Sequence, residues 1–355
     1  MSSIAQPGRD QQSYRRRQFY WLAIFALLLL PAAGMMMLSG AFELSPRQFL
    51  EGLFSHHNGV AHLVVWEIRL PRLIGALLGG VSLALSGAVL QAVLKNPLAA
   101  PTTLGIAQGA AFGAALGITC SGMRSSSLNL LSSLNGLSNP VIVSLFAFIF
   151  SLLTTLVIIL LTRLRQSGKE SIILAGVALS SLFMAGTTFL QYLADESQLA
   201  MIVHWTFGDL ARASWPELYL MAIITVLASG YFFANRLNYN AILAGDEVAQ
   251  SLGVNVIRLR LVTMSIATLA TAVTVTFFGI LGFIGLIAPH MARRLIGSDN
   301  RYLLPLSAIL GVLILICADL LGQLLLEPVA LPAGVITSFL GTPVFLLLLF
   351  GRRSS

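Results

Sequence analysis

Charged residues are the scarcest class in this chain. Only 10% of its 355 residues are Asp, Glu, Lys or Arg, where soluble domains carry about 25%, while 57% are hydrophobic and the mean hydropathy is +0.87. So few charges cannot cover a water-facing surface, which excludes an ordinary soluble enzyme. Lysine is rarer still. Lys95 and Lys169 are the only two, and neither closes a G-x-x-x-x-G-K-[ST] loop, because Arg163 stands where the first glycine before Gly168 and Lys169 is needed. A phosphate-cradling loop of that type is therefore excluded. The two cysteines, Cys120 and Cys317, are isolated in apolar surroundings, which excludes a disulfide framework or a thiolate metal site and leaves packing as their role. Acidic groups are almost missing from the apolar runs. Asp319 in ICADLLGQLLL is the best placed of them, either as an acceptor between helices or as an ion-transfer group.

Histidine offers little chemistry. His56, His57 and His62 share the stretch HHNGVAH, which reads as a solvated loop more simply than as a metal site, and His204 and His290 stand alone. His290 follows Pro289 at a helix end, where it suits a free carbonyl. With no nucleophile–base pair and no ligand cluster, neither a catalytic residue nor a metal site is expected.

What the sequence has is a series of apolar runs, each about as long as a bilayer requires. They fall at residues 19–40, 71–92, 104–120, 140–162, 171–193, 216–234, 261–281, 282–296, 303–326 and 331–350. The expected fold is an all-α polytopic membrane protein of about ten transmembrane helices. A basic tail at 1–18 precedes a single transmembrane domain at 19–351, and 352–355 form a second short tail. The first run follows Arg15, Arg16 and Arg17, as a secretory signal does, but it is too long and lacks a small-x-small cleavage site, so it reads as a retained span. The run at 282–296 is short and carries Pro289, so a partial helix is expected there. Placing the N-terminus inside puts sixteen of the 21 Lys and Arg residues in inner segments, predicting that both termini are cytoplasmic. The net charge of +7 is mostly this topology signal and does not form a nucleic-acid surface.

Glycine is abundant and ordered. The stretch GIAQGAAFGAALG places Gly105, Gly109, Gly113 and Gly117 four residues apart. In a soluble helix each would cost about 1 kcal/mol relative to alanine. In lipid, small residues let helices approach closely, so this slowly winding strip reads as a helix-packing surface. Gly75, Gly79 and Gly87 with Ser82 and Ser86 repeat the theme in the second run, and Gly279, Gly282 and Gly285 step by three through GILGFIG.

Three segments carry more than hydropathy. In WEIRLPRLIGALLGGVSLALSGAVLQAVLKNPLAAPTTLGIAQGA (66–110), Arg69 and Arg72 flank Pro71, and KNPLA turns the chain into the glycine strip. ILAGDEVAQSLGVNVIRLRL (242–261) is a polar inner loop in which Gly245 and Gly253 bracket a short helix-capable stretch starting with Asp246 and Glu247, acids that suit a helix N-terminus. The third is GFIGLIAPHMARRLIGSDNRYLLP (282–305), followed by LPAGVITSFLGTPVFLLLL (331–349).

Occurring together and in this order, these segments resemble the permeases of the iron-chelate, haem and cobalamin uptake family of ATP-binding cassette importers. The resemblance runs from about residue 66 to the last span. It implies ten helices per permease, two permeases side by side as identical or related copies, two ATPase subunits and an extracytoplasmic substrate-binding protein. ATP and Mg are then expected on the partner ATPase, and no cofactor on this chain. The implied cargo is a chelated metal complex, a ferric siderophore first, with haem or cobalamin as alternatives; an ion-gradient carrier is the other class of reading. The loop 240–255 is implied to be the ATPase-coupling element, through Ala244, Gly245, Asp246, Glu247, Ala249, Leu252 and Gly253. Arg69 and Arg72 are implied to receive carboxylates of the binding protein, for which the planar guanidinium is suited; snorkelling to headgroups is the plainer reading. Family members often carry another arginine where this chain has Gln323. VHWTFGDLARASW (203–215) also resembles a family element of the outer mouth, although Trp205 and Trp215 equally suit an interfacial aromatic belt.

Overall fold

The computed structural model describes residues 7–40, 42, 45–54, 59–123, 139–164, 169–326 and 329–350. His56, His57, Arg124, Arg165, Arg352 and Arg353 lie outside the described residues, as does the tail at 352–355. The described residues form helices and their connections, with no strand among them.

In chain order the helices are α1 (Pro7–Leu38), α2 (Pro46–Phe54), α3 (Val60–Leu63), α4 (Leu70–Val93), α5 (Ile106–Met123), α6 (Asn139–Leu164), α7 (Lys169–Leu193), α8 (Glu196–Thr206), α9 (Trp215–Ala234), α10 (Arg236–Ala244), α11 (Asp246–Ser251), α12 (Val256–Phe278), α13 (Ile284–Ile296), α14 (Asn300–Leu325) and α15 (Ala333–Phe350). A wider π-helical segment, Val64–Arg69, joins α3 to α4, so helix runs unbroken over Val60–Val93. Seven described helices are long and apolar enough to cross a membrane, and α5 and α15 are shorter apolar helices. Helix α13, with 13 residues, is about 20 Å long and falls short of a ~30 Å hydrocarbon core.

Helix α4 is the axis of the bundle, packed by α9, α12, α13 and α14. Its glycines make that possible. A Cβ at Gly80 would lie 2.6 Å from the backbone of Val312, and one at Gly311 would lie 2.5 Å from Ala84 Cβ, so α4 and α14 meet almost backbone to backbone. At Gly87 a Cβ would run into the Gly285 carbonyl and come within 2.6 Å of its Cα, which brings α13 equally close. Hydroxyls add specific contacts: Ser82 donates to the Ala270 carbonyl of α12 at 3.0 Å, and Thr274 donates to Ser82 at 3.1 Å. Interhelical hydrogen bonds of this kind contribute about 0.6–2 kcal/mol each in membranes.

The glycine strip of α5 faces α6. A Cβ at Gly113 would be 3.0 Å from Ala147 Cα, one at Gly117 2.9 Å from Val143 Cα, and one at Gly109 2.9 Å from the Phe150 carbonyl. Gly105 differs from the expectation of four equivalent packing glycines. It precedes the helix with φ +78, and the neighbours of its would-be Cβ are Gly176 and Ser180 of α7.

Between α12 and α13 the chain leaves helical geometry at Gly279 (φ +77) and re-enters at Phe283, which is left-handed. Irregular backbone at membrane depth requires cover by protein. Here the Asp209 N–H donates to the Phe278 carbonyl at 2.8 Å, Gly334 donates to Gly208 at 2.8 Å, and Gly208 and Gly334 both lie against the Ile280 carbonyl.

Gly87→Ala must push α4 from α13, a backbone-to-backbone clash expected to cost at least the 1–3 kcal/mol of ordinary overpacking. We expect a clearly lowered melting midpoint in detergent. Gly34→Ala in α1, where a Cβ meets nothing within 4 Å, should melt with the wild type.

Candidate functional site

The loop segment 240–255 is a compact helix–turn–helix. Gly245 joins α10 to α11 with φ 145 and ψ 148, a conformation that strains any residue with a Cβ. Gly253 leaves α11 with φ +81. Between them Ala249 is fully buried, whereas Ala244 and Glu247 are exposed, as are Val248 at 45% and Leu252 at 67%. Leu243 is exposed as well, so Leu243, Val248 and Leu252 present apolar surface on a segment that is not itself a membrane span. Such a surface outside the spans marks a protein contact.

The two acids of α11 part company. Glu247 points out, but Asp246 turns toward the bundle, pairing with Lys95 Nζ at 2.7 Å and Arg260 Nη2 at 3.2 Å. Arg260 also donates through Nε to the Val93 carbonyl at 3.0 Å. On the other side of Gly245, Asn240 donates to Asp299 at 2.7 Å and accepts from the backbone and side-chain N–H groups of Asn300 at 2.9 and 2.8 Å. The α10–α11 loop is therefore tied to α4, α12 and α14 at one end of the bundle.

At the opposite end of α4, Arg72 donates through Nε and Nη2 to Asp319 Oδ1 at 3.0 and 2.8 Å. Asp319 is 0% exposed, and its second oxygen accepts from Gln323 Nε2 at 2.8 Å. Of the two readings of Asp319, interhelical acceptor is the one this geometry fits. Gln323 belongs to the same cluster and presents no third docking charge.

Arg69 is buried and donates to the Met37 carbonyl at 2.6 Å and to the Phe42 carbonyl. Of the two arginines expected to receive an external carboxylate, one guanidinium donates to backbone carbonyls and the other to Asp319. Both secure the N-terminal end of α4. Trp205 is also buried and packs with α5 residues rather than joining a lipid-facing belt, whereas Trp215 is half-buried and donates from Nε1 to the Trp66 carbonyl at 3.1 Å. Nearby, Arg212 donates to the His204 carbonyl at 2.9 Å, and burial holds its guanidinium below the ordinary value against the pull of Asp209 and Glu217.

No group of three or more His, Cys, Asp or Glu suited to a metal occurs among the described residues, and the His62 ring nitrogen lies 3.0 Å from the Gly52 carbonyl. Nothing in the hydropathy pattern could pair Arg72 with Asp319, which are 247 residues apart.

A small-residue bundle with a tied helical loop at one end and a shortened helix packed against α4 and α14 is the fold of a polytopic helical membrane protein. The chain belongs to the FecCD transport family, whose match covers residues 22–351. Relatives include a Methanocaldococcus jannaschii protein assigned as an ABC transporter permease, 44% identical over 95% of each chain. The hemin transport system permease HmuU of Yersinia pestis is 36% identical, over 94% of this chain and 95% of its own. The vitamin B12 import system permease BtuC of Vibrio cholerae is 32% identical over 97% of each. Among solved structures, an inward-facing ABC transporter assigned to the metal-chelate type superposes with a TM-score of 0.79 at 29% identity, covering 93% of this chain and 98% of that one. The chain is thus an ABC transporter permease, a multi-pass membrane subunit that transports and does not catalyse.

Removing one partner of a buried ion pair strands the other, a loss of about 3–5 kcal/mol, whereas apolar replacement of both is often tolerated. Asp319→Leu should therefore lower the melting midpoint in detergent sharply, and Arg72→Met with Asp319→Leu should recover most of the loss. A double variant as unstable as the single one would show that the pair is not what holds this end.

Proposed function

We propose that this permease carries a chelated metal complex inward, with a ferric siderophore as first choice and haem or cobalamin as the second, while ATP and Mg are bound and hydrolysed on separate ATPase subunits. The relatives' hemin and vitamin B12 cargoes support the class of large chelates. The observation that carries the energy coupling is the exposed apolar edge of α11, fixed between Gly245 and Gly253 and backed by buried Ala249. It is a preformed ridge suited to a cleft in an ATPase, and Ala244, Glu247 and Leu252 are its contact residues.

In this reading two permeases, identical or related, flank the path, and a loaded binding protein delivers cargo at the outer end. ATP-driven approach of the ATPases moves the inner loops, and the path opens to one side at a time. The segments assigned inside by charge counting support the orientation: Lys95, Arg260 and the start of α14 converge on the α10–α11 loop. With that loop cytoplasmic, both termini are cytoplasmic and the chain resides in the inner membrane. An ion-gradient mechanism is disfavoured because Asp319, the buried acid of the described spans, is held by Arg72 and Gln323.

The test is uptake of labelled ferrichrome, haemin and cyanocobalamin by vesicles containing the permease, its ATPase and its binding protein. ATP-dependent uptake of ferrichrome that survives an uncoupler is expected. Uptake of haemin or cyanocobalamin alone would overturn the cargo, and loss of uptake on adding an uncoupler at constant ATP would overturn the energy source.

A further inference from the structure

Helix α11 has two faces, and the acid at its start belongs to the inner one. Asp246 lies between Lys95, two residues past the end of α4, and Arg260, in the second turn of α12. Arg260 does double service, because its Nε caps the carbonyl of Val93, the last residue of α4. That carbonyl has no partner within its own helix. Three helix ends are thus joined through one carboxylate and one guanidinium. Lys95, Asp246 and Arg260 have side-chain exposures of 23%, 36% and 17%, so the junction is partly shielded from water and salt.

From these contacts we infer that Asp246 is a positioning residue, which fixes the coupling helix to the inner end of α4 through Lys95 and Arg260 so that a push on α11 moves the α4–α14 core. The inference rests on reading α11 as the ATPase contact. The chain on either side would otherwise absorb the movement. Gly245 and Gly253 are the bends at the two ends of α11, and without the Asp246 tie that six-residue helix would be held to the core mainly by the buried side chain of Ala249. The Asn240 contacts with Asp299 and Asn300 steady α10 against α14. Helix α10 also packs on α4, whereas the Asp246 junction is what ties α11 itself to the end of α4. From there, the close approach of Gly80 and Gly311 joins α4 to α14 where they cross, and the Arg72–Asp319 pair joins the same helices near their other ends. A displacement delivered at Asp246 therefore enters a unit pinned at both ends.

The role differs from a contact role in what it predicts. A residue that touches the ATPase governs assembly; one that holds the coupling helix to α4 governs how much transport each hydrolysed ATP yields. In the reconstituted importer, the ratio of cargo moved to ATP hydrolysed is measured with whichever of ferrichrome, haemin and cyanocobalamin the wild type carries. Asp246→Asn should keep the ATPase through purification and still hydrolyse ATP, while the ratio falls roughly 5- to 150-fold, the span of ordinary coupling free energies. Asp246→Glu should restore most of the ratio, and Lys95→Gln and Arg260→Gln should each lower it. Combining Lys95→Gln with Asp246→Asn should add little, since both remove one junction. A wild-type ratio in Asp246→Asn would overturn the inference. So would loss of the ATPase from Asp246→Asn with normal behaviour of Lys95→Gln and Arg260→Gln, because Asp246 would then be a contact. Leu252→Glu separates the underlying reading: it should release the ATPase, and retention there would remove α11 from the interface whatever Asp246 does.

Discussion

Where α4 crosses α14 and α13 there is no room for a side chain. Gly80 meets the backbone of Val312, Gly311 meets Ala84, and Gly87 meets the backbone of Gly285. Lipid supplies no hydrophobic drive for helices to associate, so close van der Waals contact and interhelical hydrogen bonds must hold the bundle. The same contacts make the centre stiff, because backbones in contact have no side-chain rotamers through which to yield. The rest of the architecture is arranged about that stiff centre: the α5–α6 glycine contact to one side and the covered break before α13 at its midpoint.

Polar groups sit at the ends of this centre. Asp319 with Arg72 and Gln323 holds one end, and Asp246 with Lys95 and Arg260 holds the other. Gln91, near the C-terminal end of α4, accepts from Arg293 of α13 at 3.1 Å. In an apolar medium such groups must find partners inside the protein, and the Arg72–Asp319, Arg260–Asp246 and Arg293–Gln91 contacts each join two different helices. They fix the register of helices that small residues alone would allow to slide. The proposed coupling to a separate ATPase requires that property, because force applied at one end would have to arrive at the other.

The spans were legible because an uncharged apolar run of bilayer length is seldom anything but a membrane helix. Residues 140–162 and 216–234 match α6 and α9 closely, and the partial helix expected at 282–296 is α13. Boundaries failed where helix continues outside the apolar run. Helix α1 begins at Pro7, and the helix ending at Val93 begins at Val60 through the π-helical segment, since polar residues form helix readily once an apolar stretch has nucleated it. The run at 261–281 stops at Phe278 because Gly279 takes positive φ. Site residues were less legible. Gly245, Asp246 and Gly253 stood out as a bracketed short helix, yet which acid faces inward depends on Lys95, about 150 residues away in sequence. Arg69 and Arg72 share one stretch, but their partners come from the end of α1, the α1–α2 connection and α14, which no local spacing reveals.

Whether α4 and α14 move as one body can be read from spin-label distances. Labels at Leu98, 40% exposed beyond α4, and at Arg301, 52% exposed at the start of α14, would be measured in the full importer without nucleotide and trapped with ATP and vanadate. A single rigid body gives the same distance in both states, which is the expected result. A shift of about 5.4 Å, one helical turn of one element past the other, would overturn it and show that the two helices slide during the cycle.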